Sequence, residues 1–561
     1  MRIFAVLLIL AYAAGLAFLT DHLSKGKKIV LFALLAIGWY YIFYPALNPS
    51  SLEMWIMVVV LFVVAGNMFF YEERTINTTQ KNKKGQIEIN ITHQPRSWVW
   101  KTVGVIIAVQ LLSALICSPL FMAKSYAGRI VPDSVDFNEI PSYSFEETAV
   151  IDRTSAQLLG DKVMGQMTDL VSQFTASEEY SQISYQGASV RVTPLAYDGF
   201  IKYMRNRASG IPAYITVSTT SGKTSLKRLD ARMRYVPSAY GNENLYRKLR
   251  FQFPFALFGS PTFEIDEEGN PWYVCTTYGY TGIHSKQRVT GVILFDPVSG
   301  TGTKYSMEEV PEWVDRVYPA DLVIEELNNW GSFQKGFFNS VFGQEGVIET
   351  SEGYNYLAKD GDVWLYTGMT SAASDDSNVG FVLVNLRTHE AQYTATPGAS
   401  ESAVMASAEG EVLNYGYTAT FPTLLNVAGK PVYLLSLKDS AGLIKMYAMV
   451  DAQDYQQVYT VKADKDSGSA IAQLIRQVSN GTVSAGSDEH FNINQINAVK
   501  TAVIDGNTYV YLKSGDKVFV IPVTQENAGT VLFLSEDSQV ECMASLQEDG
   551  TYLVTSIEKA K

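Results

Sequence analysis

Several short stretches carry residue types that could do chemistry. Ser221-Gly222-Lys223-Thr224 ends as a phosphate-binding loop ends. That pattern needs a second glycine at position 217, where Val217 stands, and a strand-to-helix setting. Here both flanks read as strands, so the tetrapeptide is a hairpin turn. The five histidines, His22, His93, His284, His389 and His490, are scattered without metal-ligand spacing. His389 reads as a solvated turn residue. The segment FEIDEEGNPW carries Glu264, Asp266, Glu267 and Glu268. Calcium would need acidic or amide residues at alternate positions and a distal Glu. The segment lacks that pattern and reads as an acidic, solvated turn, as does Asp375-Asp376. No HExxH, GxSxG or complete phosphate-loop motif occurs. Sequence alone neither reveals nor excludes two carboxylates converging from separate segments, as glycoside hydrolysis requires. We therefore assign no catalytic, cofactor-binding or metal-binding residues and expect no cofactor.

The three cysteines, Cys117, Cys275 and Cys542, form no CxxC or Cys/His cluster. A Cys275–Cys542 bridge is the one pairing the large C-terminal part could make. Basic residues cluster at KYMRNR (202–207) and in KRLDARMRYVPSAYGNENLYRKLRFQFPF (227–255). This Tyr-rich stretch reads as charge balancing on a strand face. It is also the best local candidate for a surface meeting anionic lipid, an envelope polymer or an acidic partner.

Something must hold these segments in place, and the N-terminal third shows what. Apolar runs cover about 3–20, 29–47, 54–71 and 99–122. Each approaches the roughly 20 residues that cross a bilayer as a helix. Residues 1–122 hold ten Lys/Arg against five Asp/Glu, and the whole chain holds 44 against 57. The remainder is thus strongly acidic, unlike a nucleic-acid binder, which needs clustered cations. Lys25, Lys27 and Lys28 follow the first run, and Arg74, Lys81, Lys83, Lys84 and Arg96 lie in the loop 72–98. Positive loops stay in the cytoplasm. The expected topology is four helices, with the N-terminus and everything after 122 outside. The first run could instead be a signal peptide; a retained helix is preferred. Asn67 and Gln110 are the main polar residues within the runs and are expected to bond to neighbouring helices. The spans lack acids, bases and His at central depth, so they read as an anchor. In the loop, QIEINIT (86–92) alternates as a short strand does.

Residues 123–150 read as an irregular stem. From Asp152, a plausible N-cap, Leu158, Leu159, Val163, Met164, Met167, Leu170, Val171 and Phe174 recur at threes and fours. That spacing predicts one amphipathic helix. Strands follow at 183–195 and 211–229. A pattern then recurs: Trp272 to Gly291 and on to DPVSG, and Trp364 to Gly380 and on to a turn in which His389 stands where Gly300 would be expected. Helix-like segments follow at 310–330 and 400–413. Self-similarity of this kind marks one supersecondary design reused, here α+β repeats over 151–305 and further repeats over 306–462.

Asp152 and Ala156 with Thr220-Ser221-Gly222, and Asp296 with Ser299-Gly300, resemble the PepSY family's helix and closing hairpin. The resemblance implies small extracytoplasmic α+β modules, often membrane-tethered and tied to control of peptidases. Some family members carry haem on transmembrane histidines; none lies in the apolar runs here, so no haem is implied. After ADKDSGS, residues 463–561 hold a short helix and about five short strands with turns at Asp505-Gly506 and Ser514-Gly515-Asp516. These predict a small barrel of the OB or SH3 type. The whole chain is expected to be a membrane-anchored extracytoplasmic binding or scaffold protein of the cell envelope. Its partners would be the membrane, in which it is integral, and a protein or envelope polymer outside, with no nucleic acid. An envelope hydrolase and a transmembrane sensor are the alternatives. The oligomeric state is left open.

Overall fold

The computed structural model describes residues 23–81, 87–137, 149–283, 285–371, 374–427, 429–463, 467–480, 489–493, 495–504, 507–515, 517–523, 528–535, 538–546 and 551–559. The chain forms two compact units, one ending at Arg476 and the other starting at Gln477.

Among the described residues, three helices are long and apolar enough to cross a membrane: α1 (Lys25–Phe43), α2 (Leu52–Phe69) and α3 (Ser97–Ile116). The first expected run, 3–20, lies outside the described residues. Val60, Val64 and Met68 of α2 pack against Leu31, Phe32 and Leu35 of α1. Outward-facing Ile29, Leu34, Ile37, Ile107 and Leu111 stay exposed, as a lipid-facing surface requires. Asn67 was expected to bond across helices; its Nδ2 instead donates to Val63 O of its own helix (3.0 Å). Between α2 and α3, strands β1 (Tyr71–Lys81) and β2 (Ile87–Pro95) pair antiparallel. The last apolar run does not continue to 122. It breaks at Cys117-Ser118, and Pro119 opens a new helix, α4 (Pro119–Ala127), since proline suits the first helical position.

The stem is partly docked rather than irregular. Tyr126 of α4 is buried and its hydroxyl donates to Cys117 O. Arg129 bridges to the carbonyls of Lys286 (2.8 Å) and Gln287 (2.6 Å). Strand β3 (Asp133–Ser134) then adds to a distant sheet.

Four sheets follow, each behind a helix and antiparallel throughout except for β3, which joins the third in parallel. Helix α5 (Arg153–Gln166) is capped by Asp152, whose Oδ1 accepts from Ser155 N (3.0 Å). It is shorter than its apolar spacing predicted. Phe174 leaves the stripe to open a strand paired with Tyr197, because ladder bonds to the strand ending at Tyr197 are available there. The first sheet comprises β4 (Phe174–Ala176), β5 (Ser181–Tyr185), β6 (Ala188–Tyr197), β7 (Ile211–Ser218) and β8 (Thr224–Met233), with α6 (Phe200–Asn206) between β6 and β7. Helix α7 (Leu245–Gln252) precedes the second: β9 (Leu257–Phe258), β10 (Thr262–Ile265), β11 (Pro271–Gly279), β12 (Arg288–Asp296) and β13 (Thr301–Ser306). Helix α8 (Ala320–Phe333) precedes the third: β14 (Ile348–Thr350), β15 (Asn355–Lys359), β16 (Asp362–Ser371), β17 (Ser374–Asn385), β18 (Ala391–Thr394) and β19 (Gly398–Ala399). Helix α9 (Glu401–Glu411) precedes the fourth: β20 (Thr418–Ala419), β21 (Thr423–Val427), β22 (Lys430–Lys438), β23 (Ile444–Asp451) and β24 (Val458–Lys462).

Strand alternation makes these sheets two-sided cores. In the third, Val363, Leu365, Val382 and Val384 face Val323 and Leu327 of α8. The intervening Trp364, Tyr366, Phe381 and Leu383 face Val404 and Ala408 of α9 and Tyr433 and Leu435 of the fourth sheet.

Helix α10 (Ser467–Asn480) spans the division between the units. The second unit holds β25 (Glu489–Ile493), β26 (Ala498–Ile504), β27 (Asn507–Ser514), β28 (Lys517–Pro522), α11 (Ala528–Val531), β29 (Val540–Leu546) and β30 (Tyr552–Lys559). The expected closed barrel is absent among the described residues. The strands run β25-β29-β30-β28-β27-β26 as one six-stranded sheet whose outer strands, β25 and β26, do not pair with each other. One core suffices to bury its apolar face: Val510, Leu512, Phe519, Ile521, Val540 and Cys542 pack with Val531 of α11.

Candidate functional site

The four large sheets of the first unit share an interruption that no sequence motif announced. The first strand is split in two, and both halves pair with the same neighbour: β4 and β5 with β6, β9 and β10 with β11, β14 and β15 with β16, β20 and β21 with β22. At each split one backbone N–H bonds back across the gap. The pairs are Ser177 to Pro194 O (3.0 Å), Gly259 to Thr276 O (3.0 Å), Ser351 to Gly368 O (2.8 Å) and Thr420 to Ser436 O (2.9 Å). In two of them the interruption coincides with Pro261 and Pro422, which cannot donate to a ladder. The echo S-P-T-F (260–263) and F-P-T-L (421–424) was the available signal.

The four interruptions meet at one cavity of about 480 Å³. Tyr180 and Ser181, Ser260 and Pro261, Tyr354 and Asn355, and Phe421 come from the four sheets in turn. Arg191 from β6, Arg316 from the linker between the second and third sheets, Glu179 beside β5, and Asp152 and Arg153 at the start of α5 also line it.

The charges here are unbalanced. Asp152 already pairs with Lys438 (2.8 Å). Burial alone would raise its carboxyl, but the bonds from Lys438 and Ser155 outweigh that and hold it below the usual range. Arg191 is only 5% exposed, and its one hydrogen bond among the described residues runs from Nε to Ile151 O (3.4 Å). Burial pushes its guanidinium down to about 10, so it stays cationic at neutral pH. Arg316 donates from Nη2 to Tyr356 OH (2.9 Å) and lies over the same ring at 4.7 Å. Its Nε is buried without a hydrogen-bond partner among the described residues. Among the described residues no carboxylate forms an ion pair with either arginine. Arg153, Arg191 and Arg316 face Glu179 and an Asp152 already paired with Lys438, so cations outnumber free carboxylates in the wall and the pocket favours an anion. Aromatic walls beside guanidinium groups suit an organic anion.

Behind this wall Glu264 accepts from Asp315 N (3.1 Å), and Asp315 accepts from Ser184 N (2.6 Å), tying the first two sheets to the linker. Burial pushes the Glu264 carboxyl up to about 7 and also raises Asp315 well above the usual carboxylate range, with Glu264 adding to the effect. A second cavity, of about 610 Å³, shares Ser260, Thr262 and Arg316 with the first. Its far wall is Ala46, Ser51 and Glu53, at the α1–α2 turn.

The residues singled out from sequence fall elsewhere. Ser221-Gly222 forms the β7–β8 turn, where Gly222 has φ +69°. The acidic segment is only partly a solvated turn. Glu264 is fully buried in β10, and Asp266 is buried at the hairpin, accepting from Asn270 N (2.7 Å) and Trp272 Nε1 (3.0 Å). Asp375 and Asp376 lie at the start of β17. His389 is not a solvated turn residue. Its Nε2 lies 2.9 Å from Glu326 Oε2 and its ring stacks on Tyr318 at 4.1 Å, so α8 and the linker enclose it. His22 and His284 lie outside the described residues. Among the described residues no cluster of His, Cys, Asp and Glu could hold a metal ion. The three cysteines are free, so the Cys275–Cys542 bridge is not made. The basic stretch 227–255 does form an interface, within the chain itself: α7 receives the end of α1. Arg247 Nε donates to Tyr41 O (3.0 Å), Tyr40 stacks on Phe251 (5.8 Å), and Leu47 N donates to Pro254 O (2.8 Å).

No family model and no curated protein matches the chain. Among solved structures, a Synechocystis apocarotenoid oxygenase mutant is similar at 11% identity over 52% of this chain, with a TM-score of 0.13. The chain spans half the length of that protein. The polysaccharide lyase Uly1 is similar at 10% identity over 70% of this chain and 78% of its own, with a TM-score of 0.14. Neither likeness carries an argument about fold or activity.

Proposed function

We propose that the protein is a membrane-anchored binding protein of the cell envelope. Its outer part captures a small anionic group, carboxylate or phosphate, carried by an envelope polymer or a partner protein. The observation that carries this reading is the cavity at the four interruptions, where Arg191 and Arg316 face inward without a carboxylate pair. The positive loops support an orientation with the β1–β2 hairpin in the cytoplasm and the sheets outside. The docking of the α1–α2 turn on α7 supports this, because it puts that turn on the same side as the sheets. The PepSY-like reading of the outer part belongs to the same proposal, since each of the four sheets follows a helix.

The test is calorimetric titration of the full-length protein in nanodiscs with glycerol 3-phosphate and glucuronic acid, against glycerol and glucose. At least one anion should bind and neither neutral probe should. Arg316→Gln should weaken binding by about tenfold or more, the worth of one charge-assisted hydrogen bond. Equal binding of neutral and anionic probes, or unchanged binding in a folded Arg316→Gln, would sink the reading.

A sensor role is the second reading. The shared position of Arg316 favours it, because that residue borders both the ligand cavity and the cavity walled by the α1–α2 turn. A ligand on Arg316 would sit one side chain away from the membrane helices.

A further inference from the structure

Beside the docked end of α1, the outer part presents large apolar side chains to solvent. On α6, Tyr203 turns inward while Phe200, Ile201 and Met204 are 55%, 80% and 47% exposed. Phe200 meets Tyr240 edge-on at 5.1 Å. Two residues on, Asn242 accepts from the hydroxyl of Tyr41, in the last turn of α1 (3.0 Å). On the other side of the same contact, Asn48 donates to Phe255 O (3.0 Å), and the Phe255 side chain is 67% exposed. The strip is therefore continuous, through named contacts, with the place where α1 ends and the α1–α2 turn begins. Arg205, exposed on α6, accompanies it and has no ion pair among the described residues, whereas the Lys248 ammonium lies over the Tyr235 ring (4.9 Å). Contiguous exposed apolar surface of this kind marks an interaction face. Aromatic and aliphatic side chains flanked by cations, level with the end of a spanning helix, are the composition of a bilayer interface.

We infer that this face rests on the extracytoplasmic leaflet. Phe200, Ile201, Met204 and Phe255 enter the boundary between headgroups and acyl chains, and Arg205 meets anionic headgroups. The outer part is then held to the membrane by its own surface as well as by its helices. One consequence is that the cavity mouth stands at a fixed height above the bilayer. The inference rests on the membrane-anchored reading above, and its test separates the two.

The test uses nitroxide labels on the full-length protein in nanodiscs containing phosphatidylglycerol, in a Cys117→Ser background. Labels are placed at Ile201→Cys, Phe255→Cys and, within α3, Leu111→Cys. Accessibility to oxygen is compared with accessibility to a water-soluble nickel chelate. Oxygen should dominate at all three sites, with 201 and 255 shallower than 111. Oxygen dominance at 111 with nickel dominance at both 201 and 255 would overturn the inference and leave the anchor standing. Nickel dominance at 111 would overturn the anchor itself. Labels at 201 and 255 that are water-exposed in nanodiscs but shielded from nickel in native membranes would assign the face to another protein, which also overturns it.

Discussion

Gly300 and His389 occupy the same position in the same turn of two different sheets. Both have a left-handed backbone, φ +75° and +69°. Each donates its N–H to the carbonyl four residues earlier, Asp296 (2.9 Å) and Asn385 (3.0 Å). The side chains of Asp296 and Asn385 accept from the backbone two residues on, at 2.8 Å in both. Sheet one repeats the backbone bond from Gly222 to Ser218 O (3.0 Å), and sheet four repeats the side-chain bond from Gln453 N to Asp451 (2.8 Å). The likeness between DPVSG and NLRTH is thus one of geometry, which a glycine meets freely and a histidine meets at a cost.

Gly300→Val should be strongly destabilising. The backbone disfavours a β-branched residue there, and a Cβ would run into the Tyr235 ring. Strain plus overpacking predict a loss of about 2–4 kcal/mol. Thermal unfolding in detergent reads this directly; an unchanged midpoint would show that the turn relaxes and that its geometry is not demanded.

His389→Asn tests the opposite case. Asparagine tolerates the left-handed backbone, so the turn should survive. The contacts to Glu326 and Tyr318 would go, leaving a carboxylate that is 3% exposed with one partner fewer. A loss of about 1–3 kcal/mol is expected. A loss below about 0.5 kcal/mol would mean that the histidine's enclosure contributes little.

How much of this was legible in the chain can be said from particular residues. Asp152 as a cap, the 293–305 hairpin and three of the apolar helices follow from local rules, and local rules hold where local energies decide. The length of α5 did not follow, because Phe174 is claimed by a strand whose partner, Tyr197, is remote in sequence. The closed barrel failed for the same reason: alternation shows that a strand has an inner face but says nothing of which strands meet at the edges. The cavity was the least legible. Arg191 and Arg316 stand in unremarkable sequence, and only the meeting of four interrupted strands gives them a common purpose.

Glu264 gives a pH signature. Its ordinary value is 4.5 and burial in the fold pushes it up to about 7. Between those values the unfolded carboxyl ionises while the folded one keeps its proton. Stability therefore falls as pH rises from about 4.5 to 7, by on the order of 3 kcal/mol. Asp315, raised in the same direction, adds to the slope. Glu264→Gln should flatten much of it. A wild-type midpoint that rises over this range would show that the site is not desolvated.

Asp152 predicts a slope of the opposite sign. Its carboxyl is held below 3.8 by Lys438 and Ser155 against the effect of burial. Its contribution is complete above about 3.8 and disappears as pH falls through the lower folded value. Asp152→Asn should therefore weaken the protein at neutral pH and matter little at the acid end. A pH-independent penalty would place the effect in the geometry of the cap alone, without the charge on Lys438.

Tyr180 supplies the most direct probe of the cavity wall. Its ring is buried, and its hydroxyl has no hydrogen-bond partner among the described residues and sits where a Cβ on Gly160 would fall. A buried hydroxyl without a partner costs about 1–3 kcal/mol. Tyr180→Phe removes it and keeps the ring, so the empty protein should gain up to that amount. Gly160→Ala should do the reverse by pushing the ring into the cavity, with a loss of about 1–3 kcal/mol. If a ligand uses that hydroxyl, Tyr180→Phe will unfold at a higher temperature and bind more weakly than the wild type. Such a pair of opposite changes is what a side chain kept for binding at the expense of stability would produce. A variant that is no more stable than the wild type would mean that the hydroxyl is already satisfied, and would remove Tyr180 from the list of groups waiting for a ligand.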